Sequence, residues 1–285
     1  MEYKRNHAIP ICMLKYWIDE NSLHKVVHVY DINCQRIFVS TSQSKKPFSF
    51  AIMNNLYITN SNGIRAVGLE KWFARQESSL SCLIKQAHNR QPIKVKSSFD
   101  MTKLMMALTG LEYRSNYDIK KICEFIKNNE MIRREISANP ERPTEQLVLE
   151  NIIHVVTEQH LDFMPTEMTF FFAPKNCYWI MCDRPYLKHK TLEYRLVVLT
   201  NKIIVSYRRS SAFNYNYIDM DNEYFEEINK LFIMNAREWI VSKNESDLVK
   251  YSALFQTDEW KKSLTEDKPV WQPIKNLTSG WTIDR

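Results

Sequence analysis

A carboxylate on an otherwise apolar helical face is the first group in this sequence that could do chemistry. The apolar residues of this face recur at three- and four-residue steps and predict a helix over residues 66–88: Leu69, Phe73, Leu80, Ile84 and Ala87. Glu77 lies in the same row, between Phe73 and Leu80. Because a carboxylate in apolar surroundings is costly when it stands alone, Glu77 needs a partner.

Arg114 is a candidate for that partner. Helical patterns are predicted over residues 100–112 and, after an Asn116 cap, over residues 117–129, so Arg114 lies in the elbow between two helices. An arginine side chain can pair with a carboxylate or hold a phosphate. Glu77 and Arg114 are therefore either a structural ion pair beneath a sheet or part of a site.

The elements that must position these side chains follow the order strands, helices, strands, helix. In the N-terminal half, Val26–Tyr30 and Arg36–Ser40 predict a hairpin, and Leu56–Thr59 predicts a third strand. In the C-terminal half, strands are predicted in two pairs, each an antiparallel hairpin: Met168–Ala173 with Cys177–Cys182, and Arg195–Thr200 with Ile203–Tyr207. An apolar row from Phe225 to Trp239 then predicts a helix over residues 222–243.

This order predicts the α+β class, with antiparallel β hairpins in the N-terminal and C-terminal halves packed with a central helical region. We expect a single α+β domain over residues 1–285. The candidate for an internal linker lies near residues 137–143, where the sequence Asn139-Pro-Glu-Arg-Pro143 precedes another helical pattern.

Composition excludes several classes of protein. Only 4 glycines occur, which leaves little room for a glycine-built phosphate loop. The chain has neither the apolar core of a signal peptide nor a window near the roughly 20 apolar residues of a membrane span. The 6 cysteines contain no Cys-x-x-Cys pair, which favours buried free thiols in a reducing cytoplasm. We therefore expect a cytoplasmic protein with no membrane partner.

The formal net charge is +6, and basic residues come in short pairs. These pairs are Lys4/Arg5, Lys45/Lys46, Lys94/Lys96, Lys120/Lys121, Arg133/Arg134, Arg208/Arg209 and Lys261/Lys262. Two interpretations stay open. The pairs either decorate a solvated surface, or folding gathers several of them into one groove that binds nucleic acid or another polyanion.

Short motifs recur in an order that covers nearly the whole chain. They are Asn6-His7-Ala-Ile-Pro10 leading to Leu14-Lys-Tyr-Trp17, Val27–Asp31, Leu69-Glu70 with Glu77, Leu108–Arg114, Trp179–Pro185 and Asn229–Arg237. Together they resemble the bacterial family catalogued as domain of unknown function 4238. Three positions depart from the family pattern. Asn6 stands where the family has a histidine, and Cys182 and Arg184 flank Asp183 where the family has serine and asparagine.

The resemblance implies one polar site made of His7, Glu77, Arg114 and Asp183. The histidine would act as general acid or base, a carboxylate would orient it or bind a metal, and the arginine would hold a phosphate. Such a set suits phosphodiester cleavage, so we expect a nuclease-like bacterial effector of the antiviral-defence or toxin type, with nucleic acid as its partner. Asp183 with Glu193-Tyr-Arg195 also leaves magnesium open as a cofactor.

The alternative is a non-catalytic binding or scaffold protein, whose partner would be another protein or a second copy of the chain. Glu77 and Arg114 would then be a structural pair, and His7 would cap a loop. A buried Glu77–Arg114 pair with no opening to solvent would favour this alternative. A polar cleft that holds His7, Glu77 and Asp183, edged by basic side chains, would favour the nuclease.

Overall fold

The structure is a computed structural model that describes residues 5–41, 48–54, 59–61, 64–66, 68–128, 130, 152–153, 155–188 and 194–265. Its strands are β1 Arg5–His7, β2 Val26–Asp31, β3 Arg36–Thr41, β4 Ile52–Asn54, β5 Thr59–Ser61, β6 Ile64–Ala66, β7 Thr166–Phe172, β8 Met181–Cys182, β9 Tyr186–Lys188, β10 Arg195–Val198, β11 Ile203–Arg209, β12 Asn214–Asp219 and β13 Trp239–Ser242. Among its α-helices are α1 Ile11–Leu14, α2 Gly68–His88, α3 Ser98–Gly110, α4 Asn116–Asn128, α5 Asn222–Asn235, α6 Glu245–Ser252 and α7 Asp258–Thr265. The α+β class predicted from the sequence is confirmed.

Two larger sheets organise the fold. The first has five strands in the order β12-β7-β11-β10-β9, with β12 parallel to β7 and the other pairs antiparallel. The second has four antiparallel strands in the order β3-β2-β13-β8. Because β2 and β3 come from the N-terminal half while β8 and β13 come from the C-terminal half, this second sheet joins the two halves of the chain.

Two of the predicted hairpins are confirmed. In the N-terminal hairpin, β2 pairs with β3 and Tyr30 lies opposite Ile37. In the C-terminal half, β10 pairs with β11 and Val197 lies opposite Val205. In both cases, β-branched and aromatic runs flank a short polar turn, so local sequence is sufficient to fix the pairing.

The predicted hairpin between Met168–Ala173 and Cys177–Cys182 is wrong. Strand β7 pairs instead with β11 and β12, while β8 belongs to the other sheet. The backbone N–H of Trp179 donates to the carbonyl of Asn201, and the N–H of Ile180 donates to the side chain of Asn229. Since long-range partners take these donors, residues 177–180 do not form a ladder with β7.

The predicted helix over residues 222–243 is also wrong in its second half. Helix α5 ends at Asn235, whose side-chain amide donates to the carbonyls of Arg184 and Tyr186. The chain then becomes extended and forms β13, in which Ile240 and Val241 are fully buried and pair with strands on both sides. Two neighbouring strands stabilise these β-branched residues more than a continued helix would.

The helices near the candidate residues begin and end close to their predicted limits. Helices α2 and α3 pack together and contribute Leu80, Ile84 and Leu108 to the main core. The predicted Asn116 cap is wrong by one position, because the hydroxyl of Ser115 accepts the N–H of Asp118 and Asn116 is the first helical residue.

Several sequence predictions concern segments that the structure covers only partly. Residues 56–58 of the predicted third strand, the linker near residues 137–143 and residues 143–151 of the helix expected from Pro143 lie outside the described residues. The described end of that helix, residues 152–153 and 155–159, is helical as predicted. The expectation that the free thiols are buried is wrong for Cys34 and Cys82, which are exposed. Among the described residues, none of the helices has the length and apolar character required to cross a bilayer.

Candidate functional site

Asp183 directly follows the short strand β8 and is held by the backbone that leads into the neighbouring strand β13. Its Oδ1 accepts the backbone N–H of Arg237 at 2.9 Å and that of Glu238 at 3.2 Å. Both donors lie in the connection between α5 and β13, and β13 is the strand that pairs with β8. The side chain is buried, with 2% of the residue exposed. One oxygen of the carboxylate is therefore fixed by the fold itself.

The second oxygen of Asp183 has a different environment. Oδ2 is buried and has no hydrogen-bond partner among the residues that the structure describes. Asp183 also lines a pocket of about 300 Å³. The other lining residues are Ala8, Phe50, Ala51, Ile52, Ser115, Asn116, Lys120, Glu238 and Trp239. The pocket thus combines an apolar wall with a small number of polar groups, which is the usual composition of a ligand site.

Burial raises the pKa of Asp183 to about 6. The two backbone N–H donors oppose this rise, because they stabilise the ionised form. The negative charge of Glu238 adds to it, and the positive charge of Arg184 opposes it. A carboxyl group whose pKa lies this close to neutrality can exchange a proton under physiological conditions.

Helix α4 supplies the opposite wall of the pocket. Its first residue, Asn116, donates its side-chain amide to Oε1 of Glu238, and the ammonium of Lys120 lies 3.2 Å from the same oxygen. The Lys120 side chain is 63% exposed, so it stands at the mouth of the pocket. Glu238 is thereby held by two donors from α4, whereas Asp183 keeps one oxygen without a partner.

A buried polar cluster behind the pocket fixes the position of α4. Arg184 pairs with Asp118 at 3.1 Å and donates to the hydroxyl of Tyr186. Burial raises the pKa of Asp118, although the charge of Arg184 opposes this rise. The guanidinium of Arg237 donates to the backbone carbonyls of Met234, Ala236 and Ser263.

Glu77 and Arg114, which the sequence predicted as either a structural ion pair or part of a site, do form an ion pair. Nη2 of Arg114 lies 2.8 Å from Oε1 of Glu77 and donates to the backbone carbonyl of His7 at 3.2 Å. The guanidinium also stacks on Phe73, with 4.6 Å between its central carbon and the ring centroid. The Arg114 side chain is only 3% exposed, against 27% for Glu77. This group ties α2, the α3–α4 elbow and β1 together.

The four residues of the predicted site therefore fall into two adjacent groups. Glu77, Arg114 and the backbone of His7 make one group, and Asp183 in the pocket makes the other. Arg114 precedes Ser115, a pocket residue, and His7 precedes Ala8, another one. His7 also lies opposite the pocket residue Ile52 in the β1–β4 pair.

Sequence reasoning missed the other polar residues of the pocket. Glu238 fell within a segment predicted as helix, which gave no reason to place it beside Asp183. Asn116 was interpreted only as a cap, and Lys120 only as one of several basic pairs. No signal in a single sequence indicates that residues 115–120 and 238 meet, since they are over a hundred positions apart.

The magnesium arrangement considered from the sequence joins Asp183 to Glu193-Tyr-Arg195. Glu193 lies outside the described residues, and Arg195 pairs with the buried carboxylate of Glu112 at 2.8 Å. Within the described part of the chain, no three histidine, cysteine, aspartate or glutamate side chains converge to ligate a metal.

The residues of both groups follow one another along the chain within a segment that matches a family model. A model described as protein of unknown function (DUF4238) matches residues 5–246, which include every residue of the site. The chain belongs to the DUF4238 family. No curated protein and no solved structure matches it.

Two departures of this DUF4238 protein from the family pattern have structural roles. Arg184, where the resemblance expects asparagine, makes the ion pair with Asp118 that supports α4. Cys182, where it expects serine, is fully buried and its thiol contacts the carbonyl of Arg184 at 3.0 Å. Burial raises the pKa of this thiol, so it stays protonated. Neither substitution changes the carboxylate that faces the pocket.

Proposed function

We propose that this protein is a hydrolase that cleaves phosphodiester bonds of nucleic acid, with Asp183 as its general base. One observation carries the proposal: Asp183 lines a polar pocket and is anchored through Oδ1, while its buried Oδ2 has no partner among the described residues. A residue with a purely structural role would be expected to use both oxygens, because a buried polar atom without a partner costs about 1–3 kcal/mol.

The chemistry assigned to Asp183 is proton transfer during hydrolysis. Its ionised form takes a proton from a water molecule as that water attacks the phosphorus atom. The bond between phosphorus and the leaving oxygen breaks, and the protonated Asp183 returns the proton to that oxygen. The products are a phosphomonoester and an alcohol, so the carboxylate is regenerated. A pKa of about 6 suits both halves of this cycle near neutral pH.

The charged side chains at the pocket indicate that the reaction needs a further positive charge. A phosphate placed there meets the carboxylates of Asp183 and Glu238, which repel it, and the ammonium of Lys120, which attracts it. Lys120 alone does not balance two carboxylates and a phosphate. Glu238 would hold a divalent cation, which would supply the missing positive charge, so magnesium dependence is an expectation of the proposal.

The cellular setting proposed for such an activity is an antiviral-defence or toxin-type effector. Phosphodiester cleavage without a tightly bound organic cofactor is compatible with a chain that has only 4 glycines and so little capacity for a nucleotide-binding loop.

The second candidate function is a non-catalytic binding or scaffold protein. The observation that favours it is the Glu77–Arg114 pair, in which the guanidinium is buried and also holds the backbone of His7. In this case Asp183 would serve mainly to fasten β8 to the α5–β13 connection.

Cleavage of labelled RNA and DNA, with magnesium and with EDTA, distinguishes the two candidates. The variant Asp183→Asn keeps an acceptor for the two N–H groups but removes the titrating group, so it should fold and lose activity. The exposed Asp162→Asn is a matched control with the same change of charge. His7→Gln tests whether the histidine also takes part in the reaction.

The proposal is supported when wild type and Asp162→Asn cleave and Asp183→Asn does not. Equal cleavage by all variants would remove Asp183 from catalysis. No cleavage by the folded wild type on either nucleic acid, with or without magnesium, would favour the binding function.

A further inference from the structure

A second pocket, on the opposite end of α3, is lined by lysines. It has a volume of about 240 Å³ and lies between α2 and the segment that leads into α3. Its lining residues are Ser78, Ser79, Cys82, Leu83, Gln86, Ile93, Lys94, Val95, Lys96, Asp100, Lys103 and Leu104. We refer to it as the lysine groove.

Local sequence explains why the lysines face this groove. Residues 91–96 form no helix or strand, and within them apolar and basic residues alternate. Ile93 is buried and Val95 is half-buried, so both anchor the segment on the core, while Lys94 and Lys96 are exposed. The backbone N–H of Lys94 also donates to Oε1 of Gln86, which fastens the segment to α2. Lys103 comes from the second turn of α3 and completes the set.

The charge of the groove is unbalanced. Three lysines line it against one carboxylate, Asp100. Within the described part of the chain, no carboxylate lies within the 4.0 Å ion-pair distance of Lys94, Lys96 or Lys103. The groove also lies beside the N-terminal end of α3, whose helix dipole adds positive potential. Such a groove attracts an anion with several negative charges.

An exposed aromatic ring adjoins these charges. Phe99 is 64% exposed, and the ammonium of Lys103 lies 4.0 Å from its ring centroid. Isolated exposed apolar residues are common, but an exposed ring against Lys103, one of the lysines of a basic groove, matches a known combination. Proteins that bind single-stranded nucleic acid hold the backbone in a basic groove and stack bases on aromatic side chains.

We infer that the lysine groove binds the phosphate backbone of single-stranded nucleic acid, with a base stacked on Phe99. The groove borders the first turns of α3, which is about 20 Å long by its rise, and the Asp183 pocket borders the elbow that follows this helix. As an assignment of the substrate, the inference rests on the proposed function, but the binding that it predicts is measured without cleavage.

The test is the fluorescence anisotropy of labelled oligouridylate and oligothymidylate of about 12 nucleotides, titrated with the full chain in EDTA at several salt concentrations. With three phosphate contacts on a single strand, the logarithm of the binding constant should fall against the logarithm of salt concentration with a slope of about −2. The triple variant Lys94→Gln, Lys96→Gln, Lys103→Gln should bind at least about tenfold more weakly, with a slope near zero.

A matched triple variant controls for net charge. Lys230→Gln, Lys261→Gln and Lys262→Gln remove the same number of charges from α5 and α7 and should leave the binding constant within about twofold. Phe99→Ala should weaken binding by about tenfold while leaving the salt slope unchanged, since it removes stacking and no charge.

Equal losses in the two lysine variants, or binding of polyglutamate as tight as that of the oligonucleotides, would overturn the inference. Full affinity of Phe99→Ala would overturn the stacking contact. Oligonucleotide binding that depends on the groove lysines, in a protein that never cleaves, supports the groove and rejects the nuclease. Cleavage by the groove variant with an unchanged KM supports the nuclease and rejects the groove.

Discussion

Asp183 accepts a hydrogen bond from the backbone N–H of Arg237, 54 residues later in the chain, at 2.9 Å. The same oxygen accepts the N–H of Glu238, so one atom joins the end of β8 to the beginning of β13. This bond sets the orientation of the carboxylate, whose other oxygen is buried and has no hydrogen-bond partner among the described residues. In the proposed function, one oxygen of this side chain has the structural role and the other takes the proton.

Replacements of Asp183 should separate these two roles. Asp183→Ala leaves the N–H groups of Arg237 and Glu238 without an acceptor, so we expect it to lower the free energy of unfolding by about 3 kcal/mol. Asp183→Asn keeps a carbonyl oxygen for both donors and should cost less than about 1.5 kcal/mol. Urea unfolding of both variants beside wild type measures the difference. Equal stability of the two variants would mean that the bonds to Oδ1 contribute little.

The raised pKa of Asp183 predicts a specific dependence of stability on pH. Its pKa is about 6 in the folded protein, against an ordinary value of 3.8. Between these values the folded state holds a proton that the unfolded state has lost, so the free energy of unfolding falls as pH rises from about 4 to about 6. The stabilisation from protonation is fully present below this window. Its size is roughly 3 kcal/mol.

The non-titrating variant Asp183→Asn isolates this contribution. Asp118, whose pKa burial also raises, titrates in both proteins and cancels in the comparison. The free energy of unfolding of wild type should therefore fall relative to that of Asp183→Asn as pH rises from 4 to 6.5. A difference that stays constant over this range would show that the pKa of Asp183 is not raised.

The ion pair between Glu77 and Arg114 predicts energetic coupling. Glu77→Leu leaves a guanidinium that is 3% exposed without this carboxylate, and should cost about 3 kcal/mol of stability. Glu77→Leu combined with Arg114→Met removes both charges and should cost less than Glu77→Leu alone. Urea unfolding of the single and double variants completes the cycle. If the pair is structural, cleavage per folded molecule stays unchanged; lost cleavage at normal stability would instead give Glu77 a role in the site.

Local patterns were sufficient to predict the parts of the fold that depend on neighbouring residues. The apolar row around Glu77 predicted α2, and the run Val26–Tyr30 with its turn predicted the first hairpin. The need of Glu77 for a cation followed from burial alone, and Arg114 meets it. Each of these features is determined within a few turns of helix or strand, or by the cost of an unpaired charge.

The pocket could not be predicted because long-range pairing builds it. Trp239 continues the helical row that begins at Phe225, so periodicity favoured a helix where β13 forms. The strand exists because β2 and β8 flank it, and neither neighbour is visible from the local sequence. With β13 mistaken for helix, Glu238 had no reason to lie beside Asp183.

Lys120 at the mouth of the pocket yields the last prediction. Its ammonium lies 3.2 Å from Glu238, and it is the cation among the described residues that line the pocket, so in the proposed function it attracts the phosphate. Lys120→Gln removes this attraction and also leaves Glu238 with one donor fewer, so two effects act in the same direction. We expect kcat/KM for oligonucleotide cleavage to fall by about tenfold, and the loss to shrink as salt screens the charges.

Lys121→Gln is the matched control on the same helix. Its ammonium lies 4.8 Å from the ring centroid of Tyr117, and it is not among the residues that line the pocket. It should change kcat/KM by less than about twofold, because it alters the same net charge at a different place. If repulsion by Glu238 is the reason for the loss in Lys120→Gln, then adding Glu238→Gln should restore part of the activity. A double variant no more active than Lys120→Gln would instead assign the whole effect to the lost contact between Lys120 and the phosphate.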